Sequence, residues 1–121
     1  MKESLRVELA SAQAAENRLK LLLQATSEGI TILENGRHID ANKRYAEMLG
    51  YDPRELFDIS VLDVAAPKYH EAVIERIATG DDRPYKVDCR KKDGTVIRVE
   101  VYGHSIKYEG RMLRLSALRD I

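Results

Sequence analysis

The 121-residue sequence contains a single cysteine, Cys89, and no tryptophan. One thiol can form neither an internal disulfide nor the cysteine set of a zinc site, so the composition favours a reducing compartment. We therefore expect a cytoplasmic protein. Aromatic residues make up only 6% of the chain, and this scarcity removes the stacking surfaces that planar cofactors prefer.

Long apolar runs and an excess of charge are absent as well. No stretch approaches the roughly 20 apolar residues of a membrane span, and residues 1–20 alternate charged residues with Leu and Ala, unlike a signal peptide. We expect no membrane contact by this segment. Twenty basic residues against twenty acidic ones give a formal net charge of zero, which disfavours nucleic-acid binding.

Catalytic groupings are missing too. His38, His70 and His104 lie far apart, no serine occupies a nucleophile elbow, and the glycines fall at predicted turns or helix ends instead of in a phosphate-binding string. The sequence therefore predicts no catalytic residues and no metal site, and we expect the chain not to be an enzyme.

What is present begins with a long helix over residues 1–25. Residues 2–25 contain no Gly or Pro and are rich in strong helix formers. Apolar residues at alternating spacings of four and three form one coiled-coil seam, interrupted by Glu16. We expect the seam to pack on the chain's own sheet, against a second copy to give a homodimer, or both. The predicted dimerisation residues are Leu5, Leu9, Ala12, Leu19 and Leu23.

After residue 26 the apolar period changes to that of strands. Asn35-Gly36 joins two short extended runs and is the dipeptide best suited to a type I′ hairpin turn. Residues 83–121 contain three more runs of period two, separated by Lys92-Asp93-Gly94 and Tyr108-Glu109-Gly110. Five strands follow from these signals.

Helices are predicted between the two groups of strands. Asn42 is placed to cap a helix that stops at Gly50, and Asp52 to cap a second short helix carrying Leu56 and Phe57. Pro67 opens a longer helix that ends at Gly80. On its predicted inner face lie His70, Val73, Ile74 and Ile77.

Because alternate residues in the predicted strands are apolar, one sheet face should be covered by these helices, with any cavity between the two layers. We take the aliphatic positions of the first and last strands as inward-facing. The predicted cavity residues are Ile30, Ile32, Tyr45, Met48, Leu56, His70, Val73, Ile77, Tyr85, Val87, Val99, Leu113 and Leu115. These residues could equally close into a solid core.

Three segments resemble the PAS domain family. GITILENGRHIDANKRYAEMLGYDPREL is similar to the family's opening, with Gly50, Tyr51, Glu55 and Leu56 in a Gly-Tyr-x-x-x-Glu-Leu segment. YKVDCRKKDGTVIRVEVYG is similar to its closing half, and RLSALRDI resembles the last strand and the start of the junction to an output domain. The resemblance spans about residues 25–121.

The resemblance implies an α+β fold in residues 26–121, with a five-stranded antiparallel sheet, helices over one face and a preceding helix that often dimerises. It also implies an ion pair between Glu55 and Lys92. Family members serve as sensors in histidine kinases, cyclic-di-GMP enzymes such as diguanylate cyclases, and transcription regulators. The chain is thus expected to be a sensor or signal-relay module that binds a small ligand and regulates an effector domain following Ile121.

Alternatives concern what the cavity holds. The low aromatic content favours a small organic acid, a fatty chain or no ligand, and no cofactor is predicted. A minor alternative is heme with His70 as axial ligand, because His70 lies on the helix that carries the proximal ligand in heme-binding relatives. Flavin adduct chemistry is disfavoured because Cys89 lies in a predicted strand. The alternative to a sensor is a purely structural dimerisation module with a filled core.

Overall fold

The computed structural model describes residues 27–121, so the predicted helix over residues 1–25 and its seam lie outside the described residues. The described part forms one five-stranded antiparallel sheet in the order β2-β1-β5-β4-β3. The strands are β1 (Gly29–Glu34), β2 (Arg37–Ala41), β3 (Tyr85–Arg90), β4 (Val96–Tyr108) and β5 (Arg111–Asp120). Between β2 and β3 come the helices α1 (Lys43–Leu49), α2 (Val61–Val64) and α3 (His70–Thr79), with single 3-10 turns at Glu55–Asp58 and Pro67–Tyr69.

The core lies between these helices and one face of the sheet. It combines helix residues such as Tyr45, Leu49 and Val64 with strand residues such as Val87 and Val99, all buried. The expected α+β architecture, with helices over one face of a five-stranded antiparallel sheet, is confirmed.

Two hairpin turns use residues with positive φ. Asn35 (φ 51°) and Gly36 (φ 78°) join β1 to β2, and this confirms the predicted type I′ turn. Glu109 (φ 48°) and Gly110 (φ 76°) join β4 to β5 with the same combination. The glutamate in this position shows that a well-paired hairpin can hold a side chain in the left-handed region.

The predicted caps form at Asn42 and at Asp52, but the helix predicted after Asp52 does not form. Asn42 Oδ1 accepts a hydrogen bond from the Tyr45 amide at 2.9 Å, and Gly50 ends α1 in the left-handed conformation. At Asp52 the expected reciprocal contact also forms, because its amide donates to Glu55 Oε1 at 3.0 Å. However, the predicted second helix is only the 3-10 turn Glu55–Asp58, since the chain becomes extended at Ile59.

The helix predicted from Pro67 begins with a 3-10 turn and continues as α3, which ends at Gly80 in the left-handed conformation. Val73 is buried and Ile77 is partly buried, but Ile74 is 52% exposed. The inner stripe is therefore narrower than the four residues predicted. The reason is that α3 packs on the sheet along Val73 and Ile77, and Ile74 lies a further 100° around the helix.

The predicted inward phase of β1 and β5 is wrong. Thr31 and Leu33 are buried on the inner face of β1, so Ile30 and Ile32 lie on the opposite face. Because Ile32 pairs with Leu115, that leucine lies on the opposite face too, and it is 37% exposed. Leu113 has the same strand phase as Leu115, although it is itself buried near the β4–β5 turn. The inner positions of β5 are instead Arg114, Ser116 and Leu118, all buried.

Candidate functional site

A small cavity of about 40 Å³ lies between α3 and the inner face of the sheet. This is room for a few water molecules. Five of the predicted cavity residues line it: Tyr45, Val73, Ile77, Tyr85 and Val87. Cys89 of β3 lines it as well and is buried.

Other predicted cavity residues lie elsewhere. Met48, Leu56 and Val99 are buried in the core beside the cavity but do not line it. Ile32 and Leu115 lie on the outer face of the sheet, because it is their neighbours in β1 and β5 that face the helices.

His70 does not line the cavity either. It is the first residue of α3, and its ring turns back to the segment before the helix, where Nε2 lies 3.0 Å from the Ala65 carbonyl oxygen. The heme alternative needs the His70 ring to face the cavity, and this contact turns the ring away from it. Within residues 27–121, no group of three or more His, Cys, Asp or Glu side chains is close enough to hold a metal ion.

The cavity wall contains polar residues that the sequence reasoning missed, and the most buried charged one is Arg114, only 5% exposed. Its Nη1 donates to Ser105 Oγ at 3.0 Å, and its Nη2 donates to the Asp81 carbonyl oxygen. The guanidinium lies against Gly103 of β4, where an added Cβ would be 2.5 Å from Nη2. A glycine within a strand is a sequence signal of such a close approach.

Arg114 is a buried cation that no carboxylate in the described part of the chain contacts directly, although the charges of Asp81 and Asp82 act on it from a longer distance. In residues 27–121 it forms no ion pair with a carboxylate within 4.0 Å, and burial lowers the pKa of its guanidinium below the ordinary value. Ser116, which lines the same wall, is also buried. The wall thus offers a fixed positive charge and a hydroxyl group.

A second arginine, Arg76, also lines the cavity, but its charge is compensated. Its guanidinium carbon lies 3.8 Å from the centroid of the Tyr85 ring, and Nη1 lies 4.0 Å from Asp81 Oδ1. Arg83 also donates hydrogen bonds to both carboxylate oxygens of Asp81, from Nε to Oδ1 and from Nη2 to Oδ2. These hydrogen bonds keep the pKa of Asp81 far below its usual value, so its carboxylate stays charged.

His38 and Tyr45 form a buried polar pair beside the cavity. The His38 Nδ1–H donates to the Ile59 carbonyl oxygen at 3.0 Å, so Nε2 is the acceptor for the Tyr45 hydroxyl at 2.7 Å. Burial lowers the pKa of His38 and raises the pKa of Tyr45, so both rings are neutral around pH 7. The pair fixes Tyr45 in the cavity wall through contacts that tie β2 to α1.

A wider groove of about 580 Å³ opens next to the cavity. It is bounded by the β1–β2 turn, the start of α2, the second half of α3 and the β4–β5 hairpin. Leu33, Val61, Ile77 and Arg114 line both spaces, so the guanidinium stands at their junction. Ile74 and Met112, which are 52% and 59% exposed, give the groove an apolar rim.

A family model described as a PAS domain matches residues 27–121. The chain belongs to the PAS domain family. The ion pair that the resemblance implied for this PAS domain is present, because Lys92 Nζ lies 2.6 Å from Glu55 Oε2 and joins the β3–β4 turn to the segment after α1.

Solved PAS domains share this fold. The PAS domain of an HTR-like protein from Haloarcula marismortui is similar with a TM-score of 0.84 and 23% identity, covering 96% of this chain and 99% of that one. A PAS domain from a two-component sensor histidine kinase is similar with a TM-score of 0.81 and 16% identity, covering 91% and 99%.

One sequence relative is a methyl sulfide methyltransferase-associated sensor from Methanosarcina acetivorans. It is 26% identical over 112 residues, covering 88% of this chain. The chain spans only 11% of that relative's length. Among residues 27–121, no helix has both the length and the apolar character needed to cross a membrane.

Proposed function

We propose that this PAS domain is a cytoplasmic sensor or relay module of a two-component or cyclic-di-GMP signalling protein. It binds a small ligand between α3 and the sheet, dimerises through residues 1–25, and regulates an effector domain that follows Ile121. The observation that carries this proposal is the cavity whose wall contains the buried Arg114, which has no direct ion-pair partner within residues 27–121. Two relatives, one described as a sensor and the other as a sensor histidine kinase, support the signalling role.

Strand β5 provides a direct connection from ligand to output. The same strand places Arg114 and Ser116 on the cavity wall and ends at Asp120, one residue before Ile121. A ligand group larger than a few waters can enter the cavity only if α3 or the strands move, and a ligand favours one conformation only if it binds that conformation more tightly. Movement of β5 relative to its neighbours then reaches the effector.

The dimer has a second contact surface available on the outer face of the sheet. Tyr102, Ile106 and Leu115 expose a third or more of their surface there, and the partly buried Ile30 and Ile32 lie beside Leu115 and Ala117 in the paired strands. Apolar surface of this kind favours association. A second copy of the chain is the occupant that the coiled-coil seam suggests.

Thermal unfolding with a panel of metabolites tests ligand binding. A compound that binds only the folded domain stabilises it by RT ln(1 + [L]/Kd), so at least one compound should raise Tm in a concentration-dependent way. The matched variant Val73→Leu adds a methylene to the cavity wall and should reduce the response. If no compound raises Tm while the dimer persists, the chain is the alternative, a structural dimerisation module with a filled core.

A further inference from the structure

We infer that the ligand is a monocarboxylate with an apolar tail, whose carboxylate binds the Arg114 guanidinium while the tail lies in the groove bounded by α3 and the β4–β5 hairpin. The inference rests on the proposed function, because it names the ligand class for the same site. Three features of Arg114 and its surroundings lead to it.

The first feature is that no carboxylate within residues 27–121 forms a direct ion pair with Arg114. A guanidinium removed from water loses hydration that neutral partners replace only in part, so buried arginines normally face a carboxylate or a phosphate. Arg114 has only a serine hydroxyl and a backbone carbonyl as acceptors. Two of its five N–H donors are thereby used, and the other three have no acceptor within residues 27–121. A carboxylate fits the planar fork of donors that remains.

The second feature is that the chain holds this guanidinium in one place. Gly103 leaves the space that the head group occupies, and Ser105 and Asp81 bind it from β4 and from the segment after α3. An arginine on a free surface would keep several rotamers. Here the positive charge is fixed before any ligand arrives, which reduces the entropy lost on binding.

The third feature is the composition of the surrounding walls. Arg114 is the only charged side chain lining the groove, and no carboxylate lines either the groove or the cavity in the described part of the chain. A single positive side chain without a direct ion-pair partner suits a monoanion better than a phosphate or a dicarboxylate. The remaining groove walls include Leu62, Ile74 and Met112, which suit an alkyl chain, and about 580 Å³ is within the usual size of small-molecule sites.

Calorimetric titration of the 121-residue chain with octanoate, octanamide and acetate tests the inference. Octanoate should bind at least about tenfold more tightly than octanamide, because only the carboxylate forms charge-assisted hydrogen bonds with Arg114. It should also bind more tightly than acetate, which lacks the tail. Arg114→Gln should remove the preference for octanoate over octanamide. The matched control Arg119→Gln, which changes an exposed arginine of the same strand, should keep it.

Because a core arginine variant can fail to fold, the groove provides a second pair of variants. Met112 is 59% exposed, so Met112→Glu and Met112→Lys should fold normally. The negative charge of Met112→Glu should weaken octanoate binding, and the positive charge of Met112→Lys should not. Octanamide is uncharged, so its binding should change little in either variant.

Four results would overturn the inference. Equal affinities for octanoate and octanamide would do so, as would a preference that survives in Arg114→Gln. If octanoate fails to bind while another class of metabolite raises Tm, the carboxylate assignment is wrong and the sensor function stands. If nothing in the metabolite panel binds either, both proposals fail together.

Discussion

At the scale of single residues, the buried pair of His38 and Tyr45 links stability to pH. Burial lowers the pKa of His38 in the folded state, against the smaller opposing effect of its hydrogen bond to Ile59. In the unfolded chain the pKa is near its ordinary value of about 6.5. As pH falls below that value, the unfolded chain takes up a proton that the folded chain does not, so the free energy of unfolding decreases.

His38→Gln should reduce this pH dependence, because glutamine can still hydrogen-bond to Ile59 and Tyr45 but does not titrate. Between about pH 7.5 and about pH 5.5, we expect the original chain to lose up to roughly 1 kcal/mol more stability than the variant. Urea unfolding at the two pH values measures the difference. Identical losses would show that His38 is not the responsible group.

Gly103 is the residue that makes room for Arg114. An alanine there would place Cβ 2.5 Å from Nη2 and 2.8 Å from Cζ of that guanidinium. We expect Gly103→Ala to lower the free energy of unfolding by roughly 1–3 kcal/mol, because the guanidinium must leave Ser105 and Asp81. In an Arg114→Met background the same change should cost much less. Equal costs in urea unfolding of both backgrounds would contradict this account.

At the scale of the elements, Asn42 joins a helix to a strand. Its Oδ1 accepts from the Tyr45 amide in α1 and from the Ile30 amide in β1, each at 2.9 Å. Asn42→Ala should therefore cost roughly 2 kcal/mol, more than Ser60→Ala, which removes a single capped amide from α2 and should cost about 1 kcal/mol. Chemical denaturation of both variants gives the comparison. If Asn42→Ala costs less than Ser60→Ala, the Asn42 side chain does not connect the two elements.

The order of elements was predictable because local chemistry determines it. Asn35-Gly36 requires a tight hairpin, and Asn42 and Gly50 mark the two ends of α1, whatever the rest of the chain does. Strand phase was not predictable in β1. Both sets of alternate residues in β1 contain aliphatic side chains. Which set faces the helices depends on partners distant in sequence, such as Ser116 opposite Thr31.

The candidate site was predictable only in its apolar part. Val73, Ile77 and Val87 follow from periodicity, but the polar wall breaks the rule that apolar residues face inward. Arg114 is accommodated by the carbonyl of Asp81, which is 33 positions away in the chain, and by the missing side chain of Gly103. Single-strand patterns contain no information about such contacts.

At the scale of the whole molecule, the proposed dimer depends on the seam in residues 1–25. Leu9→Glu combined with Leu19→Glu places two like charges on that seam and should convert a dimer into a monomer. Ala10→Glu combined with Ala14→Glu adds the same charge off the seam and should leave the dimer intact. Sedimentation equilibrium distinguishes the cases. An unchanged mass for the first pair, or a monomeric original chain, would contradict the assembly.

The lone thiol of Cys89 makes the molecule's own opening measurable. It is 3% exposed on the inner face of β3, and burial raises its pKa to about 12, so the folded domain holds it out of reach and unreactive. A disulfide reagent should modify it only when sheet and helices part, orders of magnitude more slowly than in a short peptide. The labelling rate therefore reports how often the domain opens. A ligand bound in the interior should make opening rarer and so lower the labelling rate.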